Sequence, residues 1–282
     1  MISKHHPFIP SKRMLILIYI LIILTGIFIG SFLNVCIARL PAHQSISTPP
    51  SHCPNCNRQL TAYDLIPILS WLFLRGRCRY CGASISVRYP AIELLTGVLF
   101  ALCFNEFGLG PELFKALILT SFLIVITFID YDHQLILDRV VIWLAGTGVC
   151  INVLINHFNI ILQYIGVSTA FYAGYTSFTS MLLGALLGGG LLLIVALVSR
   201  GGMGGGDIKF AAALGLWLGW QYTLMTLLLA FLLGGVIGVV VLALKIKGRK
   251  DVIPFGPFIA LGAFISLLYG IDLLRIYIRW LL

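Results

Sequence analysis

Residues 14–38 read MLILIYILIILTGIFIGSFLNVCIA, 25 residues without a charge. About 20 apolar residues in a helix cross the hydrocarbon core of a bilayer. The run is therefore long enough to span. It is too long for the apolar core of a signal peptide, and no small-residue cleavage site followed by a polar mature chain comes after it. It is expected to stay in the membrane. Further apolar runs follow at about 91–107, 113–130, 139–156, 179–199, 208–219, 222–244 and 256–280. The run at 208–219 is short for a span and suits a half-helix buried among neighbours, which a bilayer tolerates where protein satisfies the backbone. The pattern predicts an all-α polytopic membrane bundle of about eight transmembrane helices.

Composition agrees. Hydrophobic residues make up 60% of the 282 positions and charged residues only 10%, against about 25% in soluble domains. Mean hydropathy is +1.02. A soluble enzyme, a disordered chain and a secreted disulfide scaffold are excluded. The net charge of +9 would suggest nucleic acid in a soluble protein. Here it sets topology instead, because basic residues collect in cytoplasmic loops, and no nucleic-acid partner is expected.

The polar stretch Arg39–Tyr89 is the only one long enough for a small domain. With that loop cytoplasmic and the spans alternating, 13 Lys and Arg fall on its side and 6 on the other. The expected organisation is 1–38 as tail and first span, 39–89 as a cytoplasmic loop, and 90–282 as a transmembrane core. The basic tail, with Lys4, Lys12 and Arg13, pulls against the orientation of the first span.

The loop carries Cys53-Pro-Asn-Cys56 and, after 21 intervening residues, Cys78-Arg-Tyr-Cys81. Two such knuckles suit a tetrahedral four-cysteine zinc site. A pair of disulfides is the bland alternative, disfavoured in a reducing compartment. Four protein ligands leave no open position, so the expected role of the zinc is structural. Cys36, Cys103 and Cys150 lie in apolar runs and read as buried thiols.

Seven Asp and three Glu are spread over the whole chain. An ionisable residue at a span is costly and marks function by default. Two places stand out: Asp130, at the end of the third long run, and Asp207, after Gly201-Gly202-Met203-Gly204-Gly205-Gly206. Glycine lets backbone approach backbone or an extended substrate, so Gly204, Gly205 and Gly206 are candidates for positioning substrate or loop. Asp207 then opens a helix; the bland reading is an N-cap. Asp138 suits an N-cap and Asp132 a solvated loop, which leaves Asp130 as the partner. Two carboxylates sharing a proton can activate water and protonate a leaving amine.

The ordered motifs resemble the type IV prepilin peptidases, bifunctional leader peptidases and N-methyltransferases of bacterial inner membranes. The resemblance covers about residues 26–262. It rests on Gly30-Ser31-Phe32-Leu33-Asn34-Val35, Arg39-Leu40-Pro41, both cysteine pairs, Pro67-Ile68-Leu69-Ser70-Trp71, Arg88-Tyr89-Pro90 with Glu93, the Asp130 segment, Gly-x-Gly-Asp ending at Asp207, and Pro254-Phe255-Gly256-Pro257. The family usually has Leu-Pro-Asp where this chain has Ile136-Leu137-Asp138. The resemblance implies prepilin or pseudopilin substrates, cleavage after a glycine on the cytoplasmic side by Asp130 and Asp207, and methylation of the new amine from S-adenosylmethionine. It links methylation to the N-terminal half; the residues themselves show no donor site, since 39–89 has no Gly-x-Gly-x-x-Gly turn. The alternatives are a peptidase without methyltransferase activity, a transporter whose acids line an ion path, and a non-enzymatic zinc-knuckle scaffold.

Overall fold

The computed structural model describes residues 11–164, 176–199, 202–245 and 253–281. The tail with Lys4, and also Arg200, Gly201, Lys247, Arg249 and Lys250, lie outside the described residues. The elements are α1 (Lys12–Arg39), a 3-10 turn η1 (Ala62–Leu65), α2 (Leu69–Phe73), α3 (Arg88–Phe107), α4 (Pro111–His133), α5 (Asp138–Tyr164), α6 (Phe178–Val198), α7 (Gly205–Ala243) and α8 (Gly256–Leu281). No strand occurs among the described residues, only two isolated bridges in the cysteine loop. Six helices are long and apolar enough to cross a membrane, and Gly256–Gly270 is a shorter apolar stretch.

Helix α7 is not one rod. Gly219 has φ 77° and ψ 173°, values that break the helix and favour glycine. The chain therefore forms two helical segments there, as the short apolar run at 208–219 suggested. Phe210, Leu214 and Trp217, in the segment before the break, are fully buried. The break frees backbone carbonyls, which must find donors inside a membrane. Asn152 of α5 donates to Leu216 O at 2.9 Å and Trp217 O at 3.3 Å, and Thr223 Oγ1 donates to Gly219 O at 2.7 Å.

Two compact units pack separately, Met1–Leu113 and Phe114–Leu282. In the first, α1 packs on α3 where Gly26 meets Gly97: a Cβ at Gly26 would lie 2.7 Å from Gly97 Cα. In the second, α7 packs on α5, α6 and α8. Gly215 faces Gly184 so closely that any Cβ would strike backbone. Small residues at crossings let helices gain dispersion contacts where no hydrophobic effect drives association. Large apolar side chains face outward, Leu17, Leu186 and Val239 among them, as lipid contact requires.

Candidate active site and metal centre

Helix α4 runs past the apolar segment to His133, so Asp130 lies in its last turn. Asp132, expected in a solvated loop, is exposed but still helical, because the helix continues one turn beyond the hydrophobic residues. Asp130 is 5% exposed. Its Oδ2 accepts the backbone N–H of Gly256 at 3.0 Å, so the first turn of α8 holds the carboxylate from a third part of the chain. A Cβ at Gly256 would stand 2.6 Å from that oxygen. Only glycine lets this N–H approach so closely.

Asp207 is the third residue of α7, whose N-cap is Gly204. It therefore sits within the first turn rather than opening the helix. Its N–H donates to Gly204 O at 3.2 Å, and its side chain folds back so that a Cβ on Gly204 would be 3.1 Å from Oδ2. Ile136 sits between the two acidic segments. A Cβ on Gly206 would be 2.9 Å from Ile136 Cβ, and one on Gly256 would be 3.2 Å from Ile136 Cδ1. The Ile136 side chain thus touches both the residue that holds Asp130 and the residue before Asp207. Of the three glycines singled out, Gly206 is needed for this approach, Gly204 caps the helix under the carboxylate, and Gly205 faces open space.

Asp138 is the first residue of α5, and Leu137 O takes the N–H of Val140 and Val141 in the capping place. The Asp138 carboxylate instead accepts Lys209 Nζ at 2.8 Å on both oxygens. Lys209 lies two residues beyond Asp207, so this pair ties the start of α5 to the start of α7. The contribution of Ile136 and of the Gly256 N–H was not visible as a residue pattern. The motif Pro254-Phe255-Gly256-Pro257 was the available signal, since a glycine followed by proline at a helix start marks a special backbone position.

The cysteine loop repeats one turn twice. Bridges pair His52 with Gln59 and Arg77 with Ser84 around the two knuckles. In each, the residue after the second cysteine is left-handed: Asn57 at φ 53° and Gly82 at φ 73°. Cys53 N donates to Arg58 O at 3.0 Å and Cys78 N to Ala83 O at 2.8 Å. The four sulfurs lie within 4.8 Å of one another, and no disulfide forms. Cys53 and Cys81 sulfurs are 3.8 Å apart. A tetrahedral metal about 2.3 Å from each sulfur gives an edge of about 3.8 Å, so the donor set fits zinc in size and chemistry.

Local donors prepare the thiolates. Backbone N–H groups of Cys56 and Asn55 pull the Cys53 thiol down, and the N–H of Ala83 with the Asn55 amide pulls Cys81 down to about 6. The N–H of Arg58 pulls on Cys56 as well, but burial and the neighbouring sulfurs outweigh it and push Cys56 up to about 11. Four negative sulfurs this close need a cation between them. Outside the ligands, Asp64 is the anchor. Its side chain is 3% exposed and accepts Arg79 Nε at 2.6 Å, Thr61 Oγ1 at 2.8 Å and Thr61 N at 3.1 Å. Burial pushes its carboxyl up, yet Arg79 and Thr61 together hold it below the usual range. Arg58 stacks on Tyr80 at 4.3 Å.

Between the knuckles, Ile68 adopts φ 61° and ψ −53°, and Leu69 N donates to Pro67 O at 2.5 Å. This is a γ-turn of the strained hand, costing about 1–3 kcal/mol. Glu93 of α3, 7% exposed, holds it by accepting Ile68 N–H at 2.7 Å.

Comparison with known proteins bears on both units. The model of the Bacterial Peptidase A24 N-terminal domain matches residues 24–107, and that of the Type IV leader peptidase family matches residues 117–239. A Bacillus subtilis protein named prepilin leader peptidase/N-methyltransferase is 36% identical over 254 residues, covering 90% of this chain and 95% of that one. Proteins of the same name are 36% identical in Aeromonas hydrophila (93% and 94% covered) and 33% identical in Pseudomonas aeruginosa (92% of each). No solved structure matches the chain.

Proposed function

The chain belongs to the type IV leader peptidase family, and from that premise we propose that Asp130 and Asp207 are its catalytic pair, acting on prepilins or pseudopilins. It is a multi-pass membrane peptidase of that family. The observation that carries the assignment is the joint hold on two acids at membrane helix ends: the Gly256 N–H on Asp130 and the Ile136 contact that brings Gly206 alongside.

Two near carboxylates keep one proton between them, because both cannot ionise cheaply at short range. The ionised one draws a proton from a water, which attacks the scissile carbonyl. The protonated one donates to that carbonyl and then to the leaving amine. Gly256 N–H fixes the orientation of the Asp130 carboxylate. The excess of basic residues on one side of the alternating spans supports a site at the cytoplasmic face of the bacterial inner membrane.

The second activity in the relatives' names falls to residues 24–107, since the peptidase model and both aspartates lie outside them. S-adenosylmethionine is then the methyl donor, supplying a methyl group carried on a sulfonium. Cys53, Cys56, Cys78 and Cys81 hold a structural zinc in that unit. A small loop buries little apolar surface, and zinc binding supplies folding free energy instead. The test is to incubate the purified protein in detergent with a synthetic prepilin and weigh the products. Leader loss from the wild type and none from Asp130→Asn or Asp207→Asn supports the reading. Cleavage by both variants overturns it.

A further inference from the structure

Glu93 is buried in the unit that contains neither Asp130 nor Asp207. It lies in the second turn of α3 against α1, where a Cβ on Gly30 would be 2.7 Å from Glu93 Cα. Its donors are the N–H of Ile68, at 2.7 Å, and the hydroxyl of Ser31. Both are neutral. Among the described residues no Lys, Arg or His forms an ion pair with it, whereas the other well-buried acid of this unit, Asp64, has Arg79.

A carboxylate removed from water without a counter-charge is costly. It is also unsaturated: an ionised carboxylate offers about four acceptor sites, and two donors reach this one. The Ile68 N–H that fixes its orientation comes from a strained turn, at a residue type that rarely adopts φ 61°. The side chain is held in place with acceptor capacity to spare, and a cation beside it would stabilise its ionised form. A cationic ligand rich in hydrogen-bond donors fits that deficit.

We infer that Glu93 binds the α-ammonium that leader cleavage exposes on the pilin and takes one proton from it, freeing the nitrogen lone pair to form the N–C bond as the S–C bond of the methyl donor breaks. The inference rests on the reading of residues 24–107 as the methylating unit. An ammonium brings three N–H donors for the unused acceptor sites. The sulfonium of the methyl donor is also a cation but carries no donor, and it would leave those sites unfilled.

The test uses the purified full-length protein in detergent without any methyl donor. Its affinity is measured for a peptide with the mature pilin N-terminus, carrying either a free or an acetylated amine. The wild type is expected to prefer the free amine by at least about tenfold, as a charge-assisted contact requires. Glu93→Gln, which keeps an acceptor for Ile68, should lose that preference by weakening only free-amine binding, and Glu93→Asp should recover part of it. Zinc content and size-exclusion profile report whether each variant is folded. A merely structural role would weaken both peptides alike, which overturns the inference. Wild-type protein indifferent to acetylation overturns it even if the variants fail to fold. A raised KM for the donor with unchanged peptide affinity assigns Glu93 to the sulfonium and overturns it too. If the free amine is selected through Glu93 but no methylated product ever forms, the methylation reading fails and the ammonium site stands. If Glu93→Gln methylates as the wild type does, the ammonium site fails and the methylation reading stands.

Discussion

The cysteine loop and the aspartate site solve the same problem, bringing like charges together, in opposite ways. In the loop each pair of ligands comes from one turn. Cys53 with Cys56 and Cys78 with Cys81 are set by local hydrogen bonds and by left-handed residues at 57 and 82. In the aspartate site the two acids are 77 positions apart. An N–H of α8 holds one of them, and Ile136 packs against the glycines beside both. Local turns tolerate change elsewhere in the chain. A site assembled from helix ends depends on every contact that sets the ends.

The largest effect should come from the acids. Asp130→Asn and Asp207→Asn should each lower leader cleavage by at least about a hundredfold, the scale of lost acid–base catalysis, with helical circular dichroism unchanged. Asp132→Asn should keep much of the activity. A dead Asp132→Asn beside an active Asp130→Asn would reverse the choice within the segment.

The loop should fail separately. Replacing Cys53 and Cys56 together by Ser should remove about one zinc per chain, measured by elemental analysis, and open residues 39–89 to protease. Peptidase activity should survive, because the acids belong to the other unit. Loss of cleavage in step with zinc would break the contrast between the two regions.

Next come the glycines. Gly206→Ala sets a methyl 2.9 Å from Ile136 Cβ, while Gly205→Ala meets nothing within 4 Å. Overpacking costs about 1–3 kcal/mol, so Gly206→Ala should cut cleavage about tenfold or more and Ile136→Ala should restore part of it. Gly205→Ala should cost little in detergent assays with a short substrate. Equal losses at 205 and 206 would mean that flexibility, rather than close approach, is what the glycines provide.

Smaller effects follow from exposed or solvent-screened groups. The Asp64 carboxyl is held below its usual range in the folded loop. Its contribution is therefore complete above the unfolded value of about 3.9 and is lost as pH falls through the lower folded value. Proteolysis of the zinc-loaded loop should accelerate below about pH 4, and Asp64→Asn should raise proteolysis at neutral pH and shrink the acid increment, leaving the part due to proton competition for the thiolates. The Lys209–Asp138 pair is more than half exposed on both sides. Such pairs contribute about 0–1 kcal/mol, so Lys209→Met should change cleavage by about twofold or less.

Much of this molecule was legible in its sequence because membranes and metals write simple patterns. Long uncharged runs have few folded alternatives to spanning helices, and the spans fall where those runs fall. The twin Cys-x-x-Cys spacing already contained both halves of the four-cysteine cluster. Even the break in α7 was foreshadowed by an apolar run too short to cross, interrupted near Gly219. The acids were legible individually, since each is conspicuous in an apolar chain.

What only the tertiary structure decided is how the acids are held and what surrounds them. Sequence periodicity cannot say that Gly256 donates to Asp130 across 126 positions, that Ile136 separates the acidic segments, or that Asp138 turns to Lys209 rather than capping its own helix. Nor could it show that Glu93 clamps a strained turn at Ile68 and forms no ion pair among the described residues. The physical reason is range. Helix formation, spanning and metal knuckles are set by neighbours within a few residues or by the solvent. The proposed catalytic pair depends on the relative placement of several helix ends, and that placement emerges only when small residues let those helices pack to contact.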